Sequence, residues 1–114
     1  MKDTLLLTGL VVDLFVPSSI QCGVYVIIDA QKRVLYVGRS DTNLQRRIKD
    51  HIGEKLDYHS FYYEETSSEK DAYEKECILW HKYNPRDNKI HPDHPDYSPH
   101  WKCPLVGCLK HYML

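Results

Sequence analysis

Glu76 is the residue hardest to account for as an ordinary surface charge. On a helix its neighbours at i−4, i−3, i+3 and i+4 are Ala72, Tyr73, Leu79 and Trp80, all apolar or aromatic. A carboxylate in such a stripe is expensive to bury unless it is paired, hydrogen-bonded or bound to a metal. Glu69 and Glu74 lack such surroundings and read as solvent-facing charges. Upstream, Arg47 and His51 stand at i and i+4 on one helix face. An arginine can grip a phosphate oxygen bidentately and stabilise charge growing on it, and a histidine can take or relay a proton near neutral pH. Earlier still, Gly23-Val24-Tyr25 and Tyr36-Val37-Gly38 each set a tyrosine in a short hydrophobic run bounded by a glycine. The chemistry that such a set offers is hydrolysis of a phosphodiester.

Each residue also has a plain reading. Glu76 could cap a buried arginine. Arg47 and His51 could lie on a solvated helix face, with Arg46 and Lys49 beside them, and the tyrosines could be structural. A tyrosine base meets a further difficulty: with an ordinary pKa of about 10, only about one phenol in a thousand is ionised at neutral pH. Nearby positive charge, or a hydrogen bond to His51, has to help it. Gly38 allows a close backbone approach beside Tyr36.

The elements that must hold these groups follow from pattern. Gly23 to Ile28 and Val34 to Val37 are β-branched runs around a short polar stretch, which predicts an antiparallel hairpin. Alternation places Val24, Val26 and Ile28 on one face and Tyr25 on the other. Asp41, Thr42 or Asn43 can cap a following helix and Gly53 can stop it, with Leu44, Ile48 and Ile52 as its buried stripe. His59 to Glu64 reads as a third strand. Ser67 or Ser68 caps a second helix, Ser68 with Asp71 in capping-box spacing, and Asn84-Pro85 ends it. Leu5 to Val16 fits either a strand or a short helix. After Pro85, frequent prolines predict an irregular tail packed over the domain.

At 114 residues the chain is expected to be one domain, with 42% hydrophobic residues sufficient for one core. We divide it into an extension over residues 1–22, a core over 23–88 and a Pro/His-rich tail over 89–114. The net charge of −1 gives no global sign of a nucleic-acid binder, but Lys32, Arg33, Arg39, Arg46, Arg47 and Lys49 make a local basic face feasible. The apolar run from Leu5 to Val16 is interrupted by Asp13 and falls short of the ~20 residues that span a bilayer. Cys22, Cys77, Cys103 and Cys108 do not form a dense disulfide framework, so a reducing, cytoplasmic setting without membrane attachment is expected.

Together these residues resemble the GIY-YIG nuclease superfamily over roughly Gly23 to Asn88. Gly23-Val24-Tyr25 and Tyr36-Val37-Gly38 are similar to its two signature tripeptides, with valine replacing isoleucine in both. Leu44, Arg47 and His51 match its arginine helix. Ala72, Glu76, Leu79 and Trp80 match its glutamate helix, and Pro85 with Asn88 matches its closing Pro-x-x-Asn element. The tripeptides are weak singly, but five elements in order are specific. Arg46 and Arg47 are adjacent; the leucine-to-histidine spacing favours Arg47.

The resemblance implies an α/β (α+β) fold, a small mixed sheet of three or more strands with flanking helices. It also implies a metal-dependent endonuclease acting on DNA. Glu76 would hold one Mg²⁺ or Mn²⁺. Tyr25 would activate water with help from His51, Arg47 would bind the scissile phosphate, and Tyr36 would orient water or phosphate. Gly38, Arg39, Arg46 and Asn88 would border the substrate, Asn88 as a brace. A homodimer or a targeting partner would choose the target. The alternatives are a non-catalytic nucleic-acid-binding module and a zinc-stabilised interaction module. For the latter, His100, Cys103, Cys108 and His111 form a His-x2-Cys-x4-Cys-x2-His array, with His91 and His94 close by. Its lack of a Cys-x2-Cys knuckle favours an ordinary packed tail. A pure binder has no use for the Glu76 carboxylate, so we expect an enzyme.

Overall fold

A central strand, β2 (Gly23–Ile28), is buried along its whole length, and the architecture is built around it. In the computed structural model, which describes residues 3–112, β2 pairs antiparallel with β3 (Val34–Ser40) on one side and β4 (Ser60–Glu65) on the other. A two-residue strand, β1 (Leu5–Leu6), adds to the outer edge of β4, giving the order β1-β4-β2-β3. The α/β class holds, but the sheet is antiparallel in every pairing rather than mixed. The reason is topological: β3 and β4 run in the same direction, yet β2 lies between them, so no parallel pair forms.

Side-chain alternation on β2 divides the core in two, as expected. Val24, Val26 and Ile28 pack with Val37, Tyr62 and Leu79, the last from α3 (Glu69–Tyr83). Tyr25 and Ile27 face the opposite layer, against Leu44 and Ile48 of α2 (Leu44–Lys49) and Val12 of α1 (Gly9–Phe15). The ambiguous N-terminal run resolves into both alternatives, a strand and a helix. The divider is Thr8, whose side-chain oxygen accepts from the Val11 N–H and caps α1.

Local signals place the helix starts. Asn43 caps α2 by accepting from the Arg46 N–H, and Ser68 caps α3 by accepting from the Asp71 N–H. Asn84 ends α3 in the left-handed region, with φ of 45°, and Pro85 follows. The end of α2 differs from expectation. Regular helix stops at Lys49, and the N–H groups of His51 and Ile52 bond to the carbonyls of Ile48 and Lys49, three residues back instead of four. That tightening rotates Ile52 out of the buried stripe to 37% exposure while His51 turns inward and is buried.

β3 is an edge strand, and the chain covers its outer side. The Asp87 N–H bonds to the Leu35 carbonyl, and the Asn88 side chain both accepts from the Val37 N–H and donates to the Val37 carbonyl. Beyond Arg86 the path is irregular apart from a 3₁₀ turn at Leu109–His111.

Candidate active site

The edge position of β3 lets helices from both layers reach around it, and a cleft of about 400 Å³ opens there, lined by Tyr36, Gly38, Arg39, Asp41, Thr42, Arg47 and Glu76. Three of these, Tyr36, Arg47 and Glu76, come from three different elements. Arg47 lines both this cleft and a neighbouring groove, whereas Arg46 borders that groove, with Asn43 and Asp50, and is not among the residues lining the cleft.

Glu76 is 8% exposed, buried as its helical neighbours suggested. Its partner is Arg39, whose Nη1 donates to Oε1 at 2.7 Å. Arg39 also donates from Nε to Asp41 at 3.3 Å and lies over the Tyr73 ring. Arg39, expected at the substrate, is thus already engaged by two carboxylates that line the same cleft. Burial pushes the Glu76 carboxyl up to about 6, and the attraction of Arg39 only partly opposes this. Arg39 itself is held above its ordinary value by the two carboxylates, against the effect of burial.

Under the floor of the cleft lies an aromatic cluster. The Tyr25 hydroxyl is 2.8 Å from His51 Nε2 in a fully buried environment. The other ring nitrogen, Nδ1, is 3.4 Å from Glu54, whose carboxylate can only accept; Nδ1 then carries the proton, and Nε2 accepts from the Tyr25 O–H. Tyr36 stacks on Tyr25 at 6.1 Å between ring centroids and meets the His51 ring at 4.5 Å. Burial pushes both phenols up and pushes the His51 imidazolium down, with Glu54 opposing the shift at His51. At neutral pH His51 is therefore uncharged and Tyr25 protonated.

Gly38 separates the cleft from the Tyr25 hydroxyl. A Cβ at that position would come within 2.5 Å of Tyr25 Cζ and Oη and 2.8 Å of Tyr36 Cε1. Tyr25 is enclosed and cannot retreat, so Gly38→Ala is expected to destabilise by about 1–3 kcal/mol, the usual range for overpacking. Thermal melting checks this: a fall of roughly 4–8 °C per kcal/mol is expected for a domain of this size. Gly9→Ala, whose added Cβ meets nothing within 4 Å, is the control. An unchanged melting temperature in Gly38→Ala means that the two tyrosine rings can give way.

The sequence offers a buried arginine as a partner for Glu76 without saying which, and a bond between a tyrosine and His51; it pairs no other members of this set. Glu54 and Asp41 were missed as partners. Glu54 had a signal, its i+3 spacing from His51, but Asp41 had been counted only as a helix cap. Asn88 holds β3 from behind with both polar atoms of its amide and does not face the cleft. The tail array assembles differently from expectation. His100 is exposed, and His111 directs Nδ1 at the Cys103 carbonyl, so neither joins the two cysteines; His81 and His91 take their places. His91 was already close to the array in sequence, whereas His81 lies 22 residues before Cys103 (103 − 81) and carried no local signal.

Comparison with known proteins identifies the family. The family model of the GIY-YIG catalytic domain matches residues 21–90. The chain is 32% identical over 101 residues to UvrABC system protein C of Rickettsia felis, an alignment covering 79% of this chain and 16% of that protein. The chain thus spans about a sixth of the length of this relative. No solved structure matches it significantly. With the signature tyrosines, the arginine helix and the buried glutamate gathered at one edge strand, and the family model covering more than half of its length, the chain belongs to the GIY-YIG nuclease superfamily.

Proposed function

We propose that the protein is a divalent-metal-dependent endonuclease that hydrolyses DNA phosphodiester bonds in the cleft at β3. The observation that carries this reading is the convergence of Tyr36, Arg47 and Glu76 on one cleft, directly above the Tyr25–His51 hydrogen bond. The donor set suits a hard cation. Glu76 supplies a carboxylate at the cleft wall, Asp41 lies beside it, and Mg²⁺ or Mn²⁺ commonly uses one or two carboxylates with water and phosphate oxygens. When bound, the metal would polarise the phosphate and offset charge in the transition state.

The chain's own groups supply the rest. Among the described residues no carboxylate pairs with Arg47, which offers a planar fork to the scissile phosphate. Tyr36 borders the cleft and orients water or phosphate. Tyr25 takes a proton from the attacking water as its own proton passes to His51 Nε2, so no free phenolate has to exist beforehand. The new imidazolium is then stabilised by Glu54 at 3.4 Å. This relay removes the difficulty of a tyrosine base: the acceptor at neutral pH is the uncharged His51. Gly38 admits the substrate backbone close to the phenol, and Arg46 contributes a peripheral phosphate contact. A cleft this small reads little sequence, so target choice falls to a second copy of the chain or to a targeting protein. We place its action in the cytoplasm. None of the four cysteines is in a disulfide, and among the described residues no helix is long and apolar enough to cross a membrane.

The test is incubation with supercoiled, linear and branched DNA, with and without Mg²⁺ or Mn²⁺. Metal-dependent cleavage is expected; binding to all three without cleavage in either metal replaces this reading with a non-catalytic DNA-binding module. Arg47→Lys keeps the charge but loses the fork, and is expected to bind DNA nearly normally and cut about 10²-fold more slowly. Arg46→Ala should instead weaken binding and reduce the salt slope by about 1, with little effect on the single-turnover rate. The reverse pattern would exchange the roles of the two arginines.

A further inference from the structure

Four side chains outside the cleft meet at the junction between α3 and the C-terminal segment. His81 on the last turn of α3, His91, Cys103 and Cys108 each offer one ligand atom, and all four atoms lie within 4.8 Å of one another. Ligand atoms around a tetrahedral zinc, at about 2.0–2.3 Å from the ion, stand roughly 3.3–3.8 Å apart. The cluster therefore needs a contraction of only about 1 Å to close on an ion of that size. Two thiolates and two imidazoles are a zinc donor set, and thiolates disfavour Mg²⁺ and Mn²⁺.

A second observation points independently to a missing ligand. His91 Nε2 is buried without a hydrogen-bond partner. Its other nitrogen, Nδ1, is 2.7 Å from the Pro92 carbonyl, which can only accept, so Nδ1 holds the proton and Nε2 presents a bare lone pair. A histidine whose far nitrogen donates to a backbone carbonyl is the usual arrangement for a metal ligand. Around Cys103 the backbone is also organised. The Cys108 N–H bonds to the Leu105 carbonyl, closing the turn between the cysteines, and His111 Nδ1 sits 2.7 Å from the Cys103 carbonyl oxygen. His111, a ligand in the sequence-derived array, instead steadies the loop that carries one.

We propose that His81, His91, Cys103 and Cys108 form a structural zinc site that fastens the C-terminal segment to α3. Four protein ligands leave no open position, which marks a structural rather than a catalytic site. The need for such a fastening is visible in the packing. Among the described residues the segment contributes no strand to the sheet, and its apolar hold on α3 is a small cluster in which Trp101, Cys103, Leu105 and Cys108 meet Tyr73 and Cys77. Small domains short of core commonly complete their fold with a metal. The same helix carries Glu76, and its Trp80 indole donates to the Asn88 carbonyl, so fixing its C-terminal end also steadies both sides of the cleft.

The experiment uses the full chain purified anaerobically after expression with zinc, its metal content measured by atomic emission. One zinc per chain is expected, with release on thiol modification. Replacement by Co²⁺ should give thiolate-to-cobalt charge-transfer absorption. His81→Ala removes an exposed ligand and should weaken zinc binding by at least ~10²-fold without unfolding the protein. Cys108→Ser should lose the zinc, and a zinc chelator should lower the melting temperature of the wild type but not of this variant. His100→Ala should keep full zinc, as should Glu76→Gln, which separates this site from the nuclease reading. Substoichiometric zinc in the wild type, unchanged zinc content in both His81→Ala and Cys108→Ser, or a Cys103–Cys108 disulfide in the anaerobic preparation would each overturn the proposal. If the variants fail to fold, the wild-type cobalt spectrum decides: without thiolate charge transfer the site is not there.

Discussion

Glu76→Gln is expected to lower single-turnover DNA cleavage by roughly 10³-fold, the scale of losing several kcal/mol of charge stabilisation at the reacting phosphate. The metal-free variant should nevertheless be as stable as the wild type or more so. The second half of this expectation follows from the sign of the Glu76 shift. Its folded-state value of about 6 lies above the ordinary 4.5, because desolvation outweighs the pull of Arg39. A group raised in the folded state contributes stability that is complete below its unfolded pKa and is lost as pH rises through its folded one. Ionised Glu76 therefore opposes folding at neutral pH by about 2 kcal/mol, taking the shift at 1.36 kcal/mol per unit. Glutamine is neutral and nearly the same shape, so it avoids that term.

The competing account makes Glu76 a structural cap for Arg39. Removing one partner of a buried ion pair usually costs about 3–5 kcal/mol, because the remaining charge is stranded. Here Arg39 retains Asp41 at 3.3 Å, so it is not stranded. Chelator-treated wild type and Glu76→Gln, melted side by side at several pH values, distinguish the accounts. The two should converge as pH falls from about 6 to the ordinary 4.5, where the carboxyl is protonated in the unfolded chain as well, and above 6 the variant should melt at the same temperature or higher. A variant that melts much earlier yet cuts DNA at the wild-type rate would make Glu76 a structural residue and leave the metal without its ligand.

What the sequence made legible was what depends on near neighbours. The burial of Glu76 could be read from residues three and four positions away, and both ends of α3 from Ser68 and Asn84-Pro85. The two faces of β2 followed from strict alternation. The family resemblance located the cleft residues because it carries information about order along the whole chain. Contacts between distant segments were not legible. Arg39 and Glu76 are 37 residues apart, and nothing local distinguishes an arginine that meets phosphate from one that meets a carboxylate. His51 was placed on a regular helix, since a change from i−4 to i−3 hydrogen bonding leaves no mark on hydrophobic spacing. His81 stands 22 residues from Cys103 (103 − 81) and 27 from Cys108 (108 − 81) in sequence, and only the folding back of the C-terminal segment makes those two cysteines its neighbours. The pairing of β1 with β4 is equally non-local, which is why the first strand and helix could not be divided in advance.

The phenol–imidazole pair gives the other large effect. Tyr25→Phe is expected to slow the chemical step by about 10²–10⁴-fold, the range for losing a positioned general base, with DNA binding little changed because the ring is retained. The shape of the pH profile carries more information than the size of the loss. Burial raises the Tyr25 phenol above its ordinary value and lowers the His51 imidazolium below its own. If the proton passes from water through Tyr25 to His51, the group that must be deprotonated at the start is His51. The wild-type rate should then fall as pH drops through a value below the ordinary 6.5 of histidine and run level through neutrality. If a free phenolate were the base, the rate would instead keep climbing far above neutral pH. Tyr25→Phe should lose most of the rate and the His51 part of the acid limb, leaving the part set by Glu76, which must be ionised to hold the metal. His51→Ala should lose a comparable factor, and the double variant little more than either single one, since groups acting as one unit are not additive. A wild-type rate that climbs steadily towards alkaline pH, or losses that multiply in the double variant, would break the relay. Full activity in Tyr25→Phe with a large loss in Tyr36→Phe would move the base to the tyrosine that borders the cleft.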